Sequence, residues 1–387
     1  MTKTDTMTRR DFVERGALTG AAALLTSTAG SLACARPDVA LVRGYAALDD
    51  SGTLQPWEFE RRPMGDHDIR IDVRFASICH SDIHQMKGDW GPQPYPQVPG
   101  HEIVGVVVAV GGAVTRFKVG DRAGVGCMVD SCMECGSCTH GEEHLCERGE
   151  TLFTYGNPDD REPTGITQGG YSNQLVVRDH FAVHIPEDIP LEEAAPLLCA
   201  GITTYSPIVR ANFGVGAKVG VAGIGGLGHI AVKLAVAMGA EVYAFTTSAS
   251  KADDIRAFGA EPVVVDSLDK LGPYRGTLDW MICTIPVQYD VAPYVAAVRP
   301  GGSYTQVGMP DRMTLAINPL ALSMARVNFN ASLIGGMPET QDVVDFCAKH
   351  NIRPTIEVIP ADQINDAWTK VVAKEARYRY VIDAATF

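Results

Sequence analysis

The sequence predicts an α/β chain in which a largely β first part precedes a doubly wound parallel sheet. Three observations predict it. From about residue 40 to 199, short runs rich in Val and Ile, such as 69–75 and 103–110, are separated by Gly and Pro. From about 200 to 334, strand-like runs alternate with helical stretches, the pattern of a parallel sheet with helices on both faces. At the start of that second part, an apolar strand runs into Gly223-Ile-Gly225-Gly226-Leu227-Gly228 and then into an apolar helix.

Composition narrows the function classes. With 387 residues, 46% of them hydrophobic and 20% charged, the chain has material for two or three folded domains and is neither disordered nor fibrous. Its formal charge of −13 repels phosphate backbones, so nucleic acid is not an expected partner. No apolar run reaches the roughly 18 residues that a membrane span requires.

The first 35 residues read as an address. Thr8-Arg9-Arg10-Asp11-Phe12 is followed by the mildly apolar 16–25 and by small residues up to Cys34 and Ala35. A basic start, an apolar middle and a small-residue exit form an export signal. The paired arginines resemble a twin-arginine signal, which delivers folded chains to the periplasm. Cleavage is expected after Ala33 or Ala35, and an unread signal would leave the chain in the cytoplasm. Ser31-Leu32-Ala33-Cys34 is a poor match to a lipoprotein acylation site, because Leu would be expected where Ser31 stands.

The cysteines fall into two patterns and a remainder. Cys132-x2-Cys135-x2-Cys138-x7-Cys146 lies in a loop-like stretch with Gly136 and Gly141. Four thiolates so close can surround one tetrahedral zinc; disulfides and an iron–sulfur cluster are the other uses of such a run. The second set is dispersed: Cys79, His101 and Cys199. Two Cys and one His would leave a fourth zinc position open for water or substrate, although each taken singly also reads as an ordinary buried residue. Cys127, Cys283 and Cys347 have no partner pattern.

The glycine turn lies between a strand at 219–222 and a helix at 227–238. In that setting glycines let the backbone approach a pyrophosphate at the helix N-terminus. A second strand, 241–245, ends in Thr246-Thr-Ser-Ala-Ser-Lys251. NAD enzymes carry an acid there for the ribose 2′-hydroxyl; here the next acid is Asp253. Hydroxyls and Lys251 suit a 2′-phosphate instead, so NADP is expected. No arginine stands in this stretch, which leaves the phosphate to Lys251 and the hydroxyls. Beyond it the pattern predicts a helix at 250–258, strands at 262–265 and 280–284, a helix near 289–298 and a strand at 302–307.

Gly100-His101-Glu102-x2-Gly105-x5-Gly111, Val119-Gly-Asp-Arg122 and both cysteine sets together resemble the zinc-dependent medium-chain alcohol dehydrogenases from about residue 40 to the end. Cys79-His-Ser-Asp82, Gly156-Asn-Pro158, Gly169-Gly-Tyr-Ser172, Gly335-Gly-Met-Pro-Glu-Thr340 and Tyr378-Arg-Tyr-Val381 are similar to the cinnamyl-alcohol dehydrogenase branch, and within it to bacterial NADP-dependent aldehyde reductases. The resemblance implies a GroES-like catalytic domain over 40–199, to which 335–387 returns, and a Rossmann domain over 200–334. It implies two zinc ions, one catalytic on Cys79, His101 and Cys199 and one structural on Cys132, Cys135, Cys138 and Cys146. Ser81 and His84 match the proton relay, Asp82 the group that hydrogen-bonds the ligand histidine, and Glu102 a carboxylate beside the metal. Gly223, Gly225, Gly226, Leu227 and Gly228 would hold the pyrophosphate, with Thr247, Ser248 and Lys251 at the 2′-phosphate. Trp90 and Tyr95 are candidate walls of the substrate pocket.

The expected activity is zinc-dependent hydride transfer between NADP(H) and a primary alcohol or aldehyde, mainly as aldehyde reduction, by a homodimer joined through the nucleotide domain. An NAD-linked polyol dehydrogenase and a non-catalytic nucleotide-binding protein are the alternatives. The second of these would be expected to lack a zinc ligand, and none is missing.

Overall fold

The computed structural model describes residues 41–312 and 314–387. The export signal expected in 1–35 and the acylation-like stretch ending at Cys34 lie outside the described residues. Two sheets organise the rest. The first is built on Asp68–Ser77, whose Ile69, Ile71 and Val73 are buried in alternation, the period of a strand with one face in the core. Its seven strands run Ile356–Ile359, Arg379–Asp383, Asp68–Ser77, Ile103–Val110, Arg122–Val125 and Ala182–His184, with Gln174–Arg178 also pairing on Asp68–Ser77. Pairing is antiparallel except between Ile356–Ile359 and Arg379–Asp383. The end of the chain thus closes on a strand made some 300 residues earlier, with Val381 opposite Ser77.

The second sheet has six strands, all parallel, in the order Glu261–Val264, Glu241–Thr246, Lys218–Ala222, Leu278–Cys283, Val298–Gln306, Asn328–Ala331. Strand order reverses between the first and fourth of these in sequence, which opens the ligand crevice of a doubly wound sheet at their carboxyl ends. Helix Gly228–Ala237 buries Ile230, Ala231, Leu234 and Ala235 on one stripe and stops at Gly239, whose φ of +87° suits glycine. The helix expected near 289–298 is shorter, Ala292–Ala297. Pro293 lies in its first turn, where a missing N–H costs nothing, and the next strand begins at Val298.

The two sheets share one core, in which Ile71 and Val107 of the first belong to the same apolar cluster as Val219 and Val221 of the second. Helix Ala200–Ala211 packs on both Gly228–Ala237 and Met337–Lys349 and so carries Cys199, just before its first residue, into the space between the sheets. Among the described residues no helix is long and apolar enough to cross a membrane.

At the glycine turn a methyl group on Gly228 would overlap the carbonyl oxygen of Gly223, whereas one on Gly225 would meet nothing within 4 Å. Gly228→Ala is therefore expected to lower the thermal midpoint by several degrees, consistent with an overpacking cost of about 1–3 kcal/mol. Gly225→Ala should leave the midpoint within about 1 °C. Calorimetric melting of the two variants checks both.

Candidate active site

Strand pairing builds the first half of the site. Ala76 lies opposite Ile103 in antiparallel register, so Cys79, just past one strand, falls beside His101, just before the other. Cys79 caps helix His80–Met86. The sulfurs of Cys79 and Cys199, a ring nitrogen of His101 and a carboxylate oxygen of Glu102 all lie within 4.8 Å of one another, and all four residues are buried. Two thiols and an imidazole are the donor set that zinc prefers. A hydrogen bond from Cys199 holds the Cys79 thiol well below the ordinary thiol range, against the opposing effect of burial. These residues fit a zinc ion.

Asp82 orients the group. Its wholly buried carboxylate receives hydrogen bonds from the Cys79 amide at 2.9 Å, the Gly100 amide at 3.2 Å, the Tyr155 hydroxyl at 2.7 Å and the Tyr171 hydroxyl at 2.9 Å. It also lies 3.0 Å from Nδ1 of His101. A carboxylate only accepts, so Nδ1 carries the proton and Nε2 presents its lone pair to a metal. Burial, and next the Asp82 charge, push both tyrosines well above the ordinary phenol range, which keeps them neutral donors.

Glu102 pairs with Arg379 from the C-terminal strand, and the Ala200 amide donates to its Oε1 at 3.3 Å. Its Oε2 is buried without a partner. Burial pushes this carboxyl up to about 7 against the pull of Arg379. The Arg379 guanidinium also covers Gly226, where a Cβ would come within 2.6 Å of Nη1. Arg379 thus bridges the Cys/His group and the glycine turn, a role the sequence reading missed. A lone arginine in the apolar run 378–382 was its only local signal.

Ser81 and His84 stand three residues apart in helix His80–Met86 and so share a face. His84 Nδ1 lies 2.7 Å from Asp89 Oδ2, while its Nε2 is buried and unpartnered. Asp89 accepts a hydrogen bond from Nδ1–H, which leaves Nε2 with the ring's free lone pair. This acid was also missed; its place five residues after the histidine was the available hint. His80 stacks on His84 at 4.7 Å, and burial brings its imidazole down to about 4, keeping it neutral. The Trp90 ring lies 5.3 Å from that of His84 and its Nε1 donates to the Pro310 carbonyl at 3.3 Å, so it spans from the first sheet's side to the second's. Tyr95 instead donates to the Met86 carbonyl at the end of the helix.

The four-cysteine loop forms a separate centre. The Cys132 and Cys138 sulfurs lie 3.7 Å apart, and those of Cys135 and Cys146 lie 3.9 Å apart. Four sulfurs about 2.3 Å from one zinc must stand about 3.8 Å apart, whereas a disulfide needs about 2 Å. A multi-iron cluster, held at its corners, would spread them further. The amides of Cys135 and Glu134 donate to Cys132 Sγ and that of Glu147 to Cys135 Sγ, contacts that favour thiolates. Buried Glu143 ties the loop to helix Met337–Lys349 through the Met337 amide at 2.9 Å. Of the three cysteines left without a pattern, Cys127 is half-buried and packs against the core. Cys283 and Cys347 are buried within the core.

At the end of strand Glu241–Thr246, Thr247 is exposed and Ser248 half-buried. Lys251 does not stand free there: it is 6% exposed, and its Nζ donates to the Ile224 carbonyl in the glycine turn at 2.7 Å. The open turn at Gly225, with no atom within 4 Å of a would-be Cβ, leaves room for a dinucleotide backbone.

The family model described as "Alcohol dehydrogenase GroES-like domain" matches residues 65–187, and that described as "Zinc-binding dehydrogenase" matches 226–349. An NADP-dependent alcohol dehydrogenase C 1 of Mycolicibacterium smegmatis is 46% identical over 349 residues, covering 89% of this chain and 98% of the relative. Among solved structures, a cinnamyl alcohol dehydrogenase of Sorghum bicolor superposes with a TM-score of 0.86 at 40% identity, over 89% of this chain and 98% of that one. CAD from Helicobacter pylori, complexed with NADP(H), gives 0.85 at 39% identity, over 90% and 99%. Agreement along nearly the whole length of each relative, on both sheets, makes this chain a member of the zinc-dependent medium-chain alcohol dehydrogenases, in their cinnamyl alcohol dehydrogenase branch.

Proposed function

We propose that this chain is a zinc-dependent, NADP-linked alcohol dehydrogenase that works mainly as an aldehyde reductase. The observation that carries the reading is the buried Cys79–His101–Cys199 group joined through Glu102 and Arg379 to the glycine turn. NADP is favoured over NAD because hydroxyls occupy the strand end, and the next acid, Asp253, is fully exposed and paired with Arg256. The same feature argues against an NAD-linked polyol dehydrogenase.

Cys79, His101 and Cys199 would hold the catalytic zinc, and Cys132, Cys135, Cys138 and Cys146 a structural one. When bound, zinc supplies Lewis acidity at the substrate oxygen and NADP(H) supplies or accepts the hydride. Asp82 fixes the tautomer of His101. Ser81 shares a helix face with His84, whose Nε2 takes up or returns the proton while Asp89 holds Nδ1. Trp90 and Pro310 close the cleft from opposite sides and limit access of water. Glu102, with one oxygen unpaired, stands beside the cysteine–histidine group and is tied to Arg379 through the other.

Zinc-loaded protein is expected to contain about two zinc ions per chain and to oxidise NADPH with an aromatic aldehyde at least tenfold more efficiently than NADH. Cys199→Ser should retain about one zinc and lose turnover. Elemental analysis with initial rates for both cofactors decides it. One zinc and no turnover in the unaltered chain would favour a non-catalytic nucleotide-binding protein.

Asp89→Asn is expected to lower kcat by about ten- to a hundredfold with unchanged zinc content, as for loss of a group that orients an imidazole. Its pH profile should shift and Asp89→Glu should recover part of the rate. A merely structural Asp89 would leave the pH profile where it was.

We also propose twin-arginine export, supported by Arg9-Arg10 and the small-residue exit, and a homodimer. The dimer is supported by the edge position of strand Asn328–Ala331 and by Leu320 and Met324, 66% and 80% exposed on the neighbouring helix. Sizing of a periplasmic extract should find a shortened chain running as a dimer. Full-length monomer confined to the cytoplasm would refute both.

A further inference from the structure

The sequence near the expected 2′-phosphate position contains no arginine, yet the fold brings one there. Arg377, 127 residues away in sequence, donates from Nη2 to the Ser250 hydroxyl at 2.6 Å. Ser250 in turn lies 3.1 Å from the Ser248 hydroxyl. These groups sit just past strand Glu241–Thr246, the second strand of the dinucleotide fold, where the ribose 2′ position falls. The Arg377 side chain is 38% exposed, and its Nε stands 3.7 Å from Asp254. That carboxylate is shared with the Tyr378 hydroxyl at 2.8 Å, so Arg377 keeps donors to spare.

Lys251 is placed differently. Its ammonium is turned inward on the Ile224 carbonyl at 2.7 Å and lies 5.3 Å over the Tyr378 ring. To reach a phosphate beyond the strand it would have to abandon both contacts. Burial, and next the repulsion of Arg377, bring it down to about 8, which marks the two cations as neighbours. A guanidinium at the surface matches a phosphate with two parallel N–H donors, whereas a buried ammonium on a carbonyl holds backbone in place.

Resting on the NADP reading above, we infer that Arg377, delivered by the C-terminal segment, recognises the 2′-phosphate together with the hydroxyls of Ser248 and Ser250. Lys251 is then a positioning residue that fixes the glycine turn from beneath. Selectivity between NADP and NAD would be set from the far end of the chain, by the segment that also carries Arg379 to the turn.

The test is titration calorimetry of the zinc-loaded protein with 2′,5′-ADP and with 5′-AMP, supported by KM values for NADPH and NADH. Arg377→Gln should weaken 2′,5′-ADP about ten- to a hundredfold, as expected for lost charge-assisted hydrogen bonds, and raise the KM for NADPH in proportion. It should leave 5′-AMP and the KM for NADH within about twofold, which also reports that the variant is folded; Arg377→Lys should recover part of the loss. Lys251→Met should weaken both nucleotides alike, because both use the turn. The inference is overturned if Arg377→Gln leaves the ratio of the two affinities unchanged while the unaltered chain distinguishes them. It is equally overturned if Lys251→Met abolishes that distinction. Equal affinity of the unaltered chain for both nucleotides would overturn the NADP reading itself, and this inference with it.

Discussion

The carboxylate of Asp82 is the constraint on which the site depends. Removing a charge from water is costly unless it is fully hydrogen-bonded, and Asp82 is completely buried with five donors around it. Those donors come from the Cys79 cap, the Gly100–His101 segment, Tyr155 and Tyr171. Four separated pieces of chain must therefore converge for the fold to be stable at all. One consequence is catalytic: the position of His101 and the nitrogen it turns toward a metal are set by the interaction that secures the fold.

Arg379 and Glu102 extend that constraint to the second sheet. A buried ion pair of this kind is weak support for stability, since the cost of dehydrating both partners offsets much of their attraction. What it supplies is geometry. The guanidinium is buried, touches Glu102 on one side and lies over Gly226 on the other, so the glycine turn cannot shift without disturbing the carboxylate beside the ligand set. Any side chain at Gly226 would displace this arginine, which explains a glycine there better than turn geometry does.

Much of this was legible in the sequence wherever chemistry depends on local spacing. Runs rich in Val and Ile betrayed Asp68–Ser77 and Ile103–Val110, and the glycine turn announced the parallel sheet. The run Cys132 to Cys146 announced a metal loop, although only the sulfur separations decide against disulfides. The dispersed group of Cys79, His101 and Cys199 needed a family resemblance to be seen as a group, because 98 residues separate the last two and no periodicity links them. What stayed hidden were partners made by the tail's return: Arg379 on Glu102 and Arg377 on Ser250, pairs 277 and 127 residues apart. Lys251 shows the opposite failure. Its type and position suggested a free cation, and only the depth of the helix that follows it reveals that the ammonium is used within the protein.

Charge makes the tail's role intelligible. The chain carries a formal −13, so a dinucleotide with three phosphates approaches against the average field, which favours dilution rather than binding. Attraction must then be local and close, where low dielectric and fixed geometry magnify it. The dinucleotide turn has no cation of its own among Gly223 to Gly228, and the lysine nearest to it is occupied with a carbonyl. The C-terminal strand remedies this by bringing one arginine over the turn and, two residues earlier, another to the strand end. Because that strand is pinned by pairing to Asp68–Ser77, the cations are held by the same sheet that holds Cys79. The phosphate-facing groups and the metal-facing groups are thereby fixed to one framework, and the distance between cofactor and substrate oxygen becomes a property of the fold rather than of a mobile loop.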